Sequence, residues 1–273
     1  MLAWFKSLRN AVDFPLRRSI KWSRGAPPIR REGLDRAFAH LPSDKAAEME
    51  RRASQLIDSH GLQEFKANCS LKHYTINLFY LEMLENTFGE ADYEFALKPV
   101  LRVADIGPGS WIYAPAFHSF LSQWRSPERR TVELIGYEID AYRIFNDMRS
   151  RLDHIKRNID KLPDTSIVTE AFQERREHFD LVTLFYPFVL VPDHLDWGLP
   201  RSAFEPETLL EIAWSSVRPG GALFIANQGP EEFEEQKRLL DECGITKGVS
   251  WPLESELHPY EIPRFAHLRI KTR

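Results

Sequence analysis

The chain has 273 residues, 43% of them apolar, and a formal net charge of −4. That length and composition allow one sizeable α/β domain with a helical appendage, or two small domains, and exclude wholesale disorder. The negative balance disfavours a general polyanion binder while leaving room for a local basic patch.

Residues 1–31 carry Lys6, Arg9, Arg17, Arg18, Lys21, Arg24, Arg30 and Arg31 against one acid, Asp13. Trp4, Phe5, Leu8 and Val12 fall at helical spacing, and Pro15 is expected to end that pattern. This arm admits three readings. It is an amphipathic helix on an anionic membrane surface, an organelle-targeting segment, or an arm packed on its own domain or on a second subunit. Gly25-Ala26-Pro27-Pro28 then reads as a linker. Residues 32–98 read as a helical region and a candidate lid. Ser43 or Asp44 is expected to cap a first helix, with Ala46, Met49, Ala53, Leu56 and Ile57 on one face and Gly61 as its stop. A second helix is expected over 70–87, with Tyr74, Leu78, Leu81, Met83 and Leu84 as its apolar side and Gly89 as its end.

From residue 100 the texture alternates between strand and helix. Strands are expected at 100–106, 132–137, 166–169, 179–185 and 222–226, with one or two more in the tail through 266–270. Helices are expected at 111–124, 141–159, 205–217 and 231–243. Residues 179–185, FDLVTLF, are apolar enough to be buried on both faces. Pro219-Gly220-Gly221 reads as the turn into the fifth strand. Such alternation implies a parallel sheet with helices on both faces and a ligand crevice at the carboxyl ends of the strands. The two cysteines, Cys69 and Cys243, stand alone, so neither a zinc site nor a disulfide framework is suggested, and no metal is expected. They read as small buried thiols in a reducing, cytoplasmic setting. No apolar run is long enough to span a bilayer.

The chemistry concentrates at residues 105–110, DIGPGS, after the first strand. Gly107 and Gly109 lack a Cβ, so the chain can bend sharply there and bring backbone N–H groups close to a ligand. A helix expected to start at once aims its own N–H groups at the same place, which suits an anion or carboxylate. Asp105 is placed to take an ammonium group. A dinucleotide fingerprint needs glycine where Ile112 stands, and no Gly-Lys-Ser/Thr follows, so nicotinamide, flavin and P-loop readings are disfavoured. The second strand ends in Glu138, whose carboxylate can accept from both hydroxyls of a ribose. Glu170-Ala171 follows the third strand, where an acid can meet an adenine amino group.

In this order VADIGPGS, GYEID, TEAF, HFDLVTLFY and VRPGGALFIA resemble the class I S-adenosylmethionine (SAM)-dependent methyltransferase superfamily, over about residues 100–226. The resemblance implies an α/β, three-layer Rossmann-like fold. Its mostly parallel seven-stranded sheet has an antiparallel last strand, occupies 99–273 and follows an N-terminal helical extension. It implies SAM as the cofactor. Asp105, Gly107, Pro108 and Gly109 then border the methionine part, Glu138 and Ile139 the ribose, and Glu170 and Ala171 the adenine, with Phe185 closing the fourth strand. Five residues, SPERR, lengthen the spacing before the second strand, so Glu138 is preferred to Asp140 rather than fixed. Trp111 stands where the family often has a third glycine, and it is expected to narrow the methionine pocket or close it from above.

Methyl transfer asks mainly for positioning, because the sulfonium is already a good leaving group; a base is needed only for a protonated acceptor. Tyr186 and His194, after the fourth strand, are the candidate catalytic groups. Trp111, Tyr113, Phe188, Trp197 and Asn227 are candidate acceptor contacts, with Gln228, His258, Tyr260 and Arg264 behind them. Tyr186-Pro187-Phe188 is reminiscent of the Asn/Asp-Pro-Pro-Tyr/Phe loop of amino-methylating members, without its first residue and second proline. The expected acceptor is a small molecule, a glycan or a lipid-linked group, in the cytoplasm or at a membrane periphery. An RNA or protein acceptor, and a non-catalytic module with this fold, are the alternatives.

Overall fold

A computed structural model describes residues 2–95, 98–258 and 261–272. The N-terminal part contains α1 (Leu2–Ile20), α2 (Ser43–Ser59), α3 (Gln63–Ala67) and α4 (Leu71–Glu90). The alternating part runs β1 (Val100–Ile106), α5 (Ala114–Gln123), β2 (Thr131–Tyr137), α6 (Arg151–Ile159), β3 (Thr165–Val168) and β4 (Phe179–Phe185). It continues through α7 (Val191–Asp196), α8 (Pro206–Ser216), β5 (Val217–Gln228), α9 (Gly229–Glu242), β6 (Gly248–Leu253) and β7 (Arg264–Ile270).

The seven strands form one sheet in the order β3-β2-β1-β4-β5-β7-β6. The first five pair in parallel, and β7 runs antiparallel to both neighbours. This is the Rossmann-like sheet expected from the sequence, including its antiparallel last strand. β4 lies between β1 and β5 and is buried at every position, as a strand covered on both faces must be. Side chains alternate between two cores. Phe224 and Ala226 of β5 face α2, α4 and α5, while Leu223 and Ile225 face α8 and α9. Met49 and Leu56 of α2 and Leu78, Phe79 and Phe88 of α4 share the first core with Val103, Leu181 and Leu268 of the sheet. α2 and α4 are thus packed on the sheet as a layer of the domain.

Several boundaries differ from expectation for physical reasons. α1 runs through Pro15, because contacts on both sides of the proline hold the helix to the domain: Asn10 donates to Leu195 O and Leu199 O, and Arg17 pairs with Asp140. α2 is preceded by Pro42 with no side-chain cap, so Ser43 and Asp44 are its first residues rather than its cap. Ser70 does cap α4, accepting from His73 N. The helix expected over 141–159 begins only at Arg151, where Ser150 and Asp153 form a reciprocal capping box. Pro219-Gly220-Gly221 is not a turn between elements but a bulge inside β5, at the register shift against β4. Cys69 is buried and Cys243 half-buried. Among the described residues no helix is long and apolar enough to cross a membrane.

Candidate functional site

β1 ends in the glycine turn at the point where the sheet order passes from the β1–β2–β3 side to β4, the position at which open α/β sheets form their ligand crevice. Gly107 and Gly109 have φ of +69° and +60°, in the left-handed region that glycine occupies without strain. A Cβ built on either would meet no atom within 4 Å, so both face open space. The turn is anchored on its other sides. Gly107 N donates to Tyr137 O at 2.8 Å, Asn158 Nδ2 of α6 donates to Ser110 O at 2.8 Å, and Gly109 N donates to Glu138 Oε2 at 2.9 Å. Pro108 is buried beneath the turn.

The helix after the turn does not start at once, which corrects the expected use of its N-terminus. α5 begins at Ala114 and is capped from outside by the fully buried Asn77 of α4. Asn77 Oδ1 accepts from Ala116 N at 2.9 Å, and Nδ2 donates to Ile112 O at 2.9 Å. Trp111 precedes the helix with φ of +51° and no exposed surface. Its ring turns into the core against Gly136 of β2, where an added Cβ would lie 2.7 Å from it. The expected gate above the methionine pocket is therefore a core wedge, and Trp111 offers no surface to an acceptor. Gly136→Ala is expected to overpack this contact and cost about 1–3 kcal/mol. The readout is a lower urea midpoint with unchanged m value, partly restored by adding Trp111→Leu; an unchanged midpoint would contradict the wedge.

Asp105, one residue from the end of β1, is fully buried. Tyr113 Oη donates to its Oδ2 at 2.8 Å, and Thr183 Oγ1 donates to Oδ1 at 2.8 Å. Thr183 is its register neighbour on β4. Burial pushes the Asp105 carboxyl up to about 7, helped by the charge of Glu138 and against the opposing pull of the Tyr113 and Thr183 hydroxyls and the Trp111 indole. Burial likewise raises the Tyr113 hydroxyl. Tyr113 stacks on Tyr80 of α4 with centroids 4.0 Å apart, and both rings meet Phe185 at the end of β4. Tyr113, expected at an acceptor, instead holds the acid.

Glu138 is buried at the end of β2. Besides Gly109 N it takes Asp140 N and Arg151 Nη1 on Oε1, each at 2.9 Å. Of about four lone-pair directions on a carboxylate, three are used, leaving about one free. Asp140 turns away to Arg17 of α1, with N···O of 3.0 Å, which favours Glu138 as the acid beside the turn. Arg151 is 1% exposed, and its Nε and Nη2 have no hydrogen-bond partner among the described residues. Trp197 lies over the guanidinium at 4.8 Å and over that of Arg143 at 5.4 Å, and its other neighbour is Phe188 after β4, with ring centres 5.6 Å apart. Ile139 is half-buried, and Glu170 and Ala171 are exposed just after β3. Glu170 borders a cavity of about 380 Å³ that Phe14, Pro15 and Arg18 of α1 close from the other side.

On the β4–β5 side Tyr186 has φ of +60°, uncommon for a bulky residue and costing of order 1–3 kcal/mol. Its N–H donates to Ala226 O at 2.7 Å, and the Arg264 guanidinium lies 4.9 Å from its ring centre. Arg264 also donates to Gln228 Oε1. Asn227 is fully buried, and neither its Oδ1 nor its Nδ2 has a hydrogen-bond partner among the described residues. Such an amide costs about 1–3 kcal/mol unless something satisfies it. His194 is not in an open loop. It is buried on α7, its Nε2 bonded to Pro200 O at 2.9 Å between Phe188 and Phe204, and burial lowers its pKa. His258 lies against Phe79, and Tyr260 falls outside the described residues.

The sequence reading missed Asn77, Thr183, Gly136, Arg151 and Arg17. Three of these carried a signal: an asparagine in an apolar helix, a threonine in the otherwise apolar FDLVTLF, and the SRLD capping box that places Arg151 at a helix start.

No protein-family model and no curated protein sequence matches the chain. Among solved structures, it is similar to a SAM-dependent methyltransferase from Aquifex aeolicus, at 16% identity and a TM-score of 0.48 over 71% of this chain and 91% of that one. It is also similar to a SAM-dependent methyltransferase from Leishmania major, at 14% identity and a TM-score of 0.47 over 72% of this chain and 73% of the other. A third is phosphoethanolamine N-methyltransferase 2 of Haemonchus contortus in complex with SAM, at 10% identity and a TM-score of 0.42 over 73% of this chain and 58% of the other.

Proposed function

We propose that this chain is a SAM-dependent methyltransferase whose acceptor is a small molecule, a glycan or a lipid-linked group. One observation carries the reading. Two left-handed glycines face open space at the sheet's switch point, flanked by buried acids at the ends of adjacent strands, Asp105 and Glu138. A zwitterionic amino acid joined to a nucleoside fits that arrangement. Asp105 pairs with the ammonium, the backbone of 107–109 borders the methionine chain, and Glu138 accepts from the ribose. Ile139, Glu170 and Ala171 flank the adenine, and Phe185 closes the floor. The bound cofactor supplies an electrophilic methyl on a good leaving group. The chain's own residues then position an acceptor against the end of β4. Tyr186, Phe188 and the unsatisfied Asn227 are the groups for this, with Tyr186 the candidate base; the His194 Nε2 is spent on Pro200.

Titrating S-adenosylhomocysteine into the full chain by calorimetry tests the reading. Heat with one-to-one stoichiometry is expected; no heat and no thermal shift up to millimolar ligand removes it. A second reading, a module of this fold that supports a partner without catalysis, is favoured by the three protein donors already on Glu138. It predicts no transfer of label from SAM to any fraction of a cell extract.

A further inference from the structure

α1 has two faces of opposite kind. The inner face is polar and pinned. Asn10 Nδ2 donates to Leu195 O at 2.8 Å and Leu199 O at 3.0 Å, Arg17 donates to Asp140 and to Gly198 O, and Lys6 pairs with Asp196. Phe14 is the buried apolar residue among them. The outer face carries Trp4, Phe5, Leu8, Val12, Leu16 and Ile20, each between 53% and 64% exposed. Five of these recur at every fourth position, which draws one apolar stripe along the helix. At 1.5 Å per residue the stripe is about 24 Å long. A helix that belongs only to its own domain turns its apolar stripe inward. Here the polarity is reversed, and the stripe needs an apolar phase from outside the molecule.

The charge beside the stripe selects that phase. Arg9 on the helix, 3.9 Å from Asp13, and Lys21 at its end are exposed, and Arg24, Arg30 and Arg31 follow along the chain, in an arm with a single acid and in a chain that is negative overall. We propose that α1 docks on an anionic lipid surface, its stripe in the headgroup–acyl boundary and its cations on the headgroups. A second copy of the chain would set the same cations against each other. An RNA would meet the cations and could stack on Trp4 and Phe5, but would leave Leu8, Val12, Leu16 and Ile20 in water. The inner face holds Asp140 and the 195–199 segment, which lie at the carboxyl end of the sheet beside Glu138. Docking therefore brings the crevice end of the molecule to the lipid. Taken with the methyl-transfer reading, on which this step alone rests, the acceptor is a group at the lipid–water interface.

Flotation of the full chain with phosphatidylglycerol/phosphatidylcholine vesicles, and with phosphatidylcholine alone, tests the docking. Binding to the anionic vesicles, weakened by high salt, is expected. Combined Leu8→Glu, Val12→Glu and Leu16→Glu should reduce it by about tenfold or more while leaving melting temperature and S-adenosylhomocysteine binding unchanged, because these side chains are more than half exposed and the bonds that pin α1 come from Lys6, Asn10 and Arg17. Three results overturn it: no flotation with anionic vesicles at low salt, flotation indifferent to the triple substitution, or a concentration-dependent dimer that the triple substitution abolishes. Calorimetry with S-adenosylhomocysteine on the same preparation reads the crevice separately, so failure of docking and failure of the methyl-transfer reading are told apart.

Discussion

Asp105→Asn is expected to raise the melting temperature at alkaline pH and to abolish measurable S-adenosylhomocysteine binding. The two effects have one cause. Asp105 has no exposed surface, so a ligand ammonium reaches it only by displacing the Tyr113 or Thr183 hydroxyl, and burial raises its pKa from the ordinary 3.8 to about 7. In the unfolded chain the carboxyl ionises near its ordinary value. The folded chain keeps the proton until about pH 7. Stability from this group is fully present below about pH 4 and is lost as pH rises through about 7. At 1.36 kcal/mol per pKa unit the loss is about 4 kcal/mol, an order-of-magnitude figure. An amide removes that loss while still accepting from Tyr113 or Thr183. The gain from Asp105→Asn should therefore be largest at about pH 8 and shrink as the pH falls.

The wild-type affinity gives the second measurement. An ammonium pairs only with the ionised acid, so binding should strengthen about tenfold per pH unit below about pH 7 and level off above it. Calorimetry in buffers of different ionisation heat should show proton release on binding in the acidic range. A flat profile across this range would mean that the ligand ammonium does not meet Asp105, and the glycine turn would then hold something else.

β4 was legible because its burial is continuous, and β1 because one exposed arginine interrupts an otherwise apolar run up to Asp105, before the glycine turn; the structure gives both the expected bounds. Helix starts were less legible, because tertiary bonds decide them. Trp111 to Tyr113 have helical spacing with α5, but Asn77 reaches across from another helix and fixes the start at Ala114. Residues 141–150 carry apolar residues at helical spacing, yet the chain reverses on itself there, with Phe145 N donating to Arg149 O and Arg151 N to Arg143 O. The site was legible in its acids and glycines and illegible in their partners. DIGPGS and YEID announce Asp105 and Glu138, whereas nothing local to either motif tells that Thr183, Tyr113 and Arg151 come to meet them. Trp111 was misread for the same reason: the space it occupies is made by Gly136, 25 residues further along the chain. The arm was readable as amphipathic, but only the contacts of Asn10 and Arg17 reveal that its polar side is the inner one.

Glu138 and Arg151 separate structure from binding by opposite responses. Glu138→Ala should lower stability by about 1–3 kcal/mol, since it removes the nearer acid of a buried guanidinium that already has two unpartnered nitrogens and leaves it Asp140 at 4.0 Å. It should also weaken S-adenosylhomocysteine by an order of magnitude or more, through the lost ribose contacts and the freed Gly109 N–H. Arg151→Met acts on the same pair from the other side. It too should destabilise, because Glu138 is left buried with only its two backbone donors, Gly109 N and Asp140 N. Yet it returns a lone-pair direction to the carboxylate, which then has about two for the two ribose hydroxyls. Binding should be retained or tightened as stability falls. If Arg151→Met loses affinity in parallel with Glu138→Ala, the guanidinium itself contacts the ligand, and its unpartnered Nε and Nη2 are donors waiting for it rather than a cost of holding Glu138 in place.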